Sequence, residues 1–254
     1  MDDLGNQLAL GMRVVNLPGP VACSILPHTP YAAVLAEAAY RAGKTVMLHL
    51  PMESRERLPL GPGALTHVMS HGEITSVLQS DVVSVPHVQG INNHMGSLLT
   101  QNQAAMSWVM SEIKQHPSLF FLDSRTTPQT VALQTARGEG LSATRRDLFL
   151  DNTPKLSEVR KQFARLIALA RAQKTALGIA HPNLATLQVL EEVLPMLPTL
   201  GVRLAPVSET VARRSAEPTT LEARNPYGSL PEVDTLPKLD RNSNRRNRLS
   251  LTKR

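Results

Sequence analysis

Three features of this 254-residue sequence predict an α/β fold with a parallel sheet. Short apolar runs rich in Val, Ile, Leu and Phe alternate with amphipathic helical stretches, the order that βα units impose on a chain. The 42% hydrophobic and 19% charged composition supports a buried core and argues against general disorder. Several apolar runs end in a histidine or an aspartate, where active sites of parallel α/β folds sit.

Residues 21–27 (VACSILP) form the first strand run. Residues 31–42 (YAAVLAEAAYRA) form an Ala-rich helix with Gly43 placed to cap its C-terminus. The next strand run is 45–50 (TVMLHL), halted at Pro51, and a Pro/Gly-rich loop follows it, long enough to cover one end of a domain. Residues 70–85 read as a helix opened by a capping-box pattern of Ser70 and Glu73. A strand run at 90–95 (GINNHM) ends in polar groups, and residues 101–115 are helical. Residues 119–123 (LFFLD) form a short apolar strand run ending in a carboxylate. A helix over 128–137 and a βα pair over 141–173 come next. Residues 176–180 (ALGIA) then deliver His181 and Pro182. A helix over 184–197 and a strand over 202–207 complete the pattern.

Beyond residue 212 the periodicity disappears. The predicted organisation is one domain over 1–212 and a disordered basic tail over 213–254. The charge divides the same way: the tail carries +5 of the formal +6, and residues 1–212 carry only +1. With a near-neutral globular part and eight aromatic residues in all, no nucleic acid is expected as a partner. The tail offers weak attachment to an acidic polymer or an anionic membrane surface. No apolar run approaches the roughly 18 residues of a membrane span. The lone Cys23 excludes an intramolecular disulfide and a thiolate-rich metal site.

The candidate site residues are His49, His94, Asp123 and His181, each ending a different strand run, together with the Asp2-Asp3 pair. Two neutral imidazoles and a carboxylate make a sound ligand set for Zn²⁺ or a similar divalent ion. Such an ion suits amide or ester hydrolysis, with a second carboxylate as base and a separate histidine as acid. His28, His67, His71, His87 and His116 lie in turns, loops or helix ends and read as structural or surface residues. Arg125, Arg146 and Asp151 are secondary candidates. The two arginines could contact a site carboxylate or an anionic substrate, and Asp151 reads mainly as a helix-start residue.

Several segments resemble the divergent polysaccharide deacetylases, relatives of the NodB-type carbohydrate esterases. They are DDLG at 2–5, SILP at 24–27, GKTVMLHLPME at 43–53, GINNHMGS at 90–97, FLDSRT at 121–126, FLDN at 149–152 and IAHP at 179–182. The resemblance covers residues 1–212 and implies a distorted (β/α)7-type barrel with a divalent metal, zinc, at the C-terminal ends of the strands. Position by position, it implies that Asp2 is the catalytic base, that Asp3, His49 and His94 hold the metal, and that His181 is the general acid. Asp123 is implied to line the site and orient a neighbour. Glu53 stands where relatives carry a second metal histidine after His49, so His94 has to supply that ligand from another strand.

The implied activity is removal of acetyl groups from an N- or O-acetylated glycan. The alternative is an inactive envelope scaffold that keeps the fold. The implied location is the periplasm or cell envelope. The sequence opens at Met1-Asp2 without a signal peptide, which reads as cytoplasmic if that start is correct, and without the strand that precedes the aspartates in relatives. The expectation is therefore a barrel lacking its first strand, with Asp2 and Asp3 on a mobile terminus.

Overall fold

The strand runs at 21–27, 45–50, 90–95, 119–123 and 176–180 fold as short parallel strands whose polar ends meet at one rim. The computed structural model describes residues 1–56 and 58–216. In chain order the elements are α1 (Leu8–Val15), β1 (Cys23–Ile25), α2 (Ala32–Arg41), β2 (Val46–Met52), α3 (His71–Ser84) and β3 (Val88–Met95). They continue with α4 (Gln103–Lys114), β4 (Phe120–Asp123), α5 (Ala132–Gly138), β5 (Ala143–Arg145), β6 (Leu148–Phe149), α6 (Leu156–Gln173), β7 (Gly178–Ile179), α7 (Leu184–Val193) and α8 (Val207–Ala216). Strands β1 to β5 form one parallel sheet in sequence order, and β6 and β7 form a parallel pair.

The two sheets join through residues 146 and 147, whose N–H groups donate to Asp123 on one side and Leu177 on the other. Residues 1–4 fill the opposite gap, between β1 and β7. Ser24 N–H donates to Met1 O, Leu4 N–H to Ser24 O and Leu26 N–H to Leu4 O, while Asp2 N–H donates to Ala180 O across the gap. The ring is thus closed at the rim. Below Met1 the edges of β1 and β7 part around a mostly apolar cavity of about 190 Å³, lined in part by Ala22, Leu177, Ile179 and Phe163. Leu4 makes a parallel bridge with Ile25, so residues 1–4 lie beside β1. The expected looseness of the two aspartates is not found, because those backbone bonds hold residues 1–4 and Asp2 is buried.

Side-chain alternation gives the barrel its two faces. Met47, Phe120, Leu122, Leu177 and Ile179 point inward and pack with Val211 of α8. Leu48, Leu50, Ile91 and Phe121 point outward against the helices, in the larger core. The capping box predicted at Ser70 and Glu73 forms at the start of α3.

One further expectation fails, and one helix was not foreseen. Residues 202–206 form no strand, and α8 begins at Val207. Pro206 has no N–H for a ladder, and its carbonyl accepts from Glu209 N–H to start a helix. Helix α8 reaches Ala216, and its Arg214 bonds to the Asp147 carboxylate at 2.6 Å. The tail expectation from residue 217 onward lies outside the described residues. Helix α1 was not foreseen. Gly11 at its centre weakens the local preference for helix and lies close against α2, where a Cβ would stand 2.5 Å from the Leu35 side chain.

Candidate metal centre

The inward-facing end of each strand sets a polar group on the rim. On β2, His49 follows Met47 at a spacing of two and so faces inward. On β3, Asn92 and His94 share one face for the same reason. Residues 1–4 bring Asp2 and Asp3 to the rim between β1 and β7.

Three of the predicted metal ligands converge: Asp3, His49 and His94 place one donor atom each within 4.8 Å of the others. Asp3 Oδ1 lies 3.1 Å from His49 Nε2 and 2.9 Å from His94 Nδ1. The two ring nitrogens are 3.2 Å apart. A tetrahedral ion with bonds of about 2.0–2.1 Å would set its ligand atoms about 3.3 Å apart, so the triangle matches one face of such a site. Without a metal the Asp3 oxygen can accept from both rings, and with the two nitrogens deprotonated the same three atoms present lone pairs to one cation. The residues fit a divalent ion. Asp3 (φ 56°) and Met95, next to His94 (φ 52°), both adopt the left-handed region that non-glycine residues rarely occupy.

The second layer is built around Asn92. Its Nδ2 donates to Asp2 Oδ2 at 2.9 Å and to Ser124 Oγ at 3.1 Å. Its Oδ1 therefore accepts from His49 Nδ1 at 3.1 Å. That bond fixes the proton on Nδ1 and leaves Nε2 to face Asp3 and His94, the arrangement a metal-binding imidazole needs. Asp2 stands behind the cluster, its Oδ2 3.8 Å from His49 Nε2.

His181 approaches from β7, with Nε2 3.9 Å from Asp3 Oδ2. Its orientation is set by Asp151, which accepts from His181 Nδ1 at 2.9 Å and from its backbone N–H at 2.6 Å. Asn183 and Thr186 also donate to Asp151 Oδ2. The His181 ring lies 5.8 Å from Phe149, and the Arg146 guanidinium lies 3.6 Å from the centre of the Phe149 ring. Arg146 donates to the carbonyls of Ser124 and Arg125, so its visible role is to hold the loop after β4.

The electrostatics follow from these contacts. Burial raises the Asp3 carboxyl, but hydrogen bonds and charge from His49 and His94 outweigh it and hold the group well below the usual carboxylate range. Burial lowers His49, and the charge of Asp2 with the bond to Asp3 more than offsets this and raises it. His181 is likewise depressed by burial and raised on balance by Asp151, then by Asp3 and Asp2. Side-chain exposure is 2% for His49 but 36% for Asp3 and 37% for His181, so a ligand would approach from the Asp3–His181 side.

One predicted site residue does not join the others. Asp123 accepts from Arg125 N–H at 2.8 Å and Thr130 Oγ at 3.0 Å, which shapes the loop after β4. Register decides this. Phe120 and Leu122 point inward, so Asp123 shares the outward face of Phe121. Burial raises its carboxyl, as expected for a structural acid in the helix layer. In the similar run ending at Asp151, Phe149 packs against the interior cluster, and Asp151 falls on the same face two residues later. FFLD and LFLD both end Phe-Leu-Asp, so the local alternation does not separate the two aspartates. Asn92 was legible, two residues before His94 on one strand.

The model of the divergent polysaccharide deacetylase family matches residues 1–211, nearly the whole described chain. The chain belongs to that family. Among relatives, the uncharacterized protein YibQ of Escherichia coli is 37% identical over 198 residues, covering 78% of this chain and 62% of YibQ. An uncharacterized Haemophilus influenzae protein is 32% identical over 198 residues, covering 78% of this chain and 70% of its own length. The chain thus spans about three-fifths of the length of YibQ. Of solved structures, the uncharacterized protein ATU2773 of Agrobacterium tumefaciens is similar with a TM-score of 0.78 at 20% identity, over 83% of this chain and 86% of that one. A lactam utilization protein of Thermus thermophilus is similar with a TM-score of 0.54 at 15% identity, over 76% and 91% of the two chains. These structures support the family's α/β fold.

Proposed function

We propose that this chain is a metal-dependent hydrolase that removes acetyl groups from an acetylated polysaccharide of the bacterial envelope. The observation that carries the reading is the convergence of Asp3, His49 and His94 with Asp2 behind them and His181 at the open side. Family membership gives the substrate class its support.

When bound at Asp3, His49 and His94, a divalent ion, with zinc the best match to two imidazoles and a carboxylate, supplies a Lewis acid for an acyl carbonyl and acidifies water. The chain's own residues do the rest. Asp2 is buried, held by Asn92, and close enough to the cluster to take a proton from an attacking water. His181 carries its proton at the open side, and Asp151 holds the ring so that Nε2 faces the site. It can deliver that proton to the departing nitrogen or oxygen as the acyl bond breaks. Asn92 keeps His49 in the tautomer that leaves Nε2 free.

The test is acetate release from acetylated oligosaccharides by the zinc-loaded protein. The expectation is turnover that requires both the metal and His181. A folded protein that binds no zinc and releases no acetate would overturn the reading.

A further inference from the structure

Outside the metal centre, the structure buries one carboxylate for which the mechanism has no use. Asp81 lies inside α3 with 0% of its residue surface exposed. Its Oδ1 meets His28 Nε2 at 2.8 Å, and its Oδ2 has no hydrogen-bond partner. Gly63 of the long loop after β2 packs directly on it, so close that a Cβ would stand 2.2 Å from Oδ1. A buried acid with a half-empty hydrogen-bonding shell is costly, and its retention calls for a role.

The role is suggested by what His28 carries. His28 adopts φ 54° in the turn after β1, and its N–H donates to Ser84 Oγ, which in turn donates to Asp81 O. The same turn holds the aspartate loop. Leu26 N–H donates to Leu4 O at 2.8 Å and Tyr31 N–H to Gly5 O at 2.9 Å. Gly5 (φ 124°) rests on Thr29, where a Cβ would stand 2.0 Å from the hydroxyl oxygen. Asp3 stands next to this seat. A short line of contacts therefore runs from Asp81 through His28 and the turn to the carboxylate that faces His49 and His94.

We propose that His28 and Asp81 form a positioning latch that holds the 26–31 turn and, through it, sets Asp3 for metal binding. This deepens the metal-site reading above and rests on it for its consequence, though not for its structural content. The latch is sensitive to pH. Among the described residues His28 is the one basic group within 4 Å of the Asp81 carboxylate, and no acidic group acts on it. Ser84 of α3 bonds to the Asp81 carbonyl, and Gly63 of the loop packs on the carboxylate. Burial pushes the Asp81 carboxyl up to about 8. Below that range the carboxyl keeps its proton. Above it a bare negative charge is buried with Oδ2 still unpartnered, and the closed turn is disfavoured.

Two measurements on the full chain test this. In the metal-free protein, hydrogen exchange at the Leu26 and Tyr31 amides should speed up at least tenfold in His28→Ala, while β3 and β4 amides stay as in the wild type. His28→Gln, which can still donate to Asp81, should restore most of the protection. In zinc titrations His28→Ala should weaken affinity about 10-fold, within the range known for groups that orient metal ligands. Asp81→Asn keeps a neutral partner for His28, so its zinc affinity relative to wild type should rise from pH 7 to pH 9. Wild-type exchange in a folded His28→Ala protein would overturn the latch and leave the metal site standing. Altered exchange in a chain whose wild type binds no zinc would keep the latch as a structural device but overturn its role in metal binding.

Discussion

Asp151 grips His181 at two points, its ring Nδ1–H and its backbone N–H, although the residues follow different strands and lie 30 positions apart. The carboxylate's second oxygen is also used by Asn183 and Thr186, so the ring has a single supported orientation. This pair separates the proton donor from the metal ligands and makes the two testable apart.

Replacing His181 with Ala should lower kcat by about 10²–10⁴-fold, the usual contribution of a general acid, with zinc affinity within about twofold of wild type. Asp151→Asn should lose part of that factor, since an amide can still meet the ring but cannot stabilise its protonated form. Steady-state acetate release combined with zinc titration checks both. Loss of zinc in either folded variant would contradict the division of roles.

Asn92→Ala should weaken zinc binding about 10–100-fold, because His49 loses the acceptor that fixes its Nδ1 proton. It should also lower kcat, since Asp2 loses its Nδ2 donor. Equilibrium dialysis against a zinc buffer measures the first effect and turnover at saturating zinc the second. A variant with wild-type values of both would show that Asn92 only packs.

Asp123→Asn should leave kcat per folded molecule unchanged. The carboxylate faces the loop after β4, where it accepts from Arg125 N–H and Thr130 Oγ. Removing its acceptor strength there should cost about 1–2 kcal/mol of stability, the usual range for a buried hydrogen-bonded group. Urea unfolding and turnover measured on one preparation check the pair of expectations.

Asp81 gives a pH dependence of definite sign. Its folded carboxyl lies at about 8, against an unfolded value of 3.8. The folded state therefore holds a proton that the unfolded state has lost throughout this window. Stability is greatest below the lower value and falls as pH rises to about 8. Asp81→Asn removes the titration, so its gain in Tm over wild type should be larger at pH 8.5 than at pH 5. An equal gain at both pH values would show that Asp81 does not titrate in this window.

Much of this was legible in the sequence, because period-two alternation survives in even the shortest strands. His49, His94 and His181 are each two residues beyond an inward-facing position, and the polar rim follows from that spacing. The different settings of Asp123 and Asp151 were not legible, because both follow Phe-Leu and only the fold decides that Phe120 faces inward in one run and Phe149 in the other. Helix α1 was hidden by Gly11, whose fit against Leu35 is a tertiary fact. The grip on Asp2 and Asp3 was hidden too. It comes from backbone bonds to Ser24, Leu26 and Ala180, contacts between segments up to 178 positions apart that no local pattern reveals.

The central claim is that one divalent ion sits among Asp3, His49 and His94. Anomalous diffraction from crystals of the zinc-loaded protein tests it most directly. The expected result is a single zinc peak about 2.0–2.2 Å from an Asp3 carboxylate oxygen, His49 Nε2 and His94 Nδ1. Zinc held by other residues, or no peak among these three at saturating zinc, would contradict it.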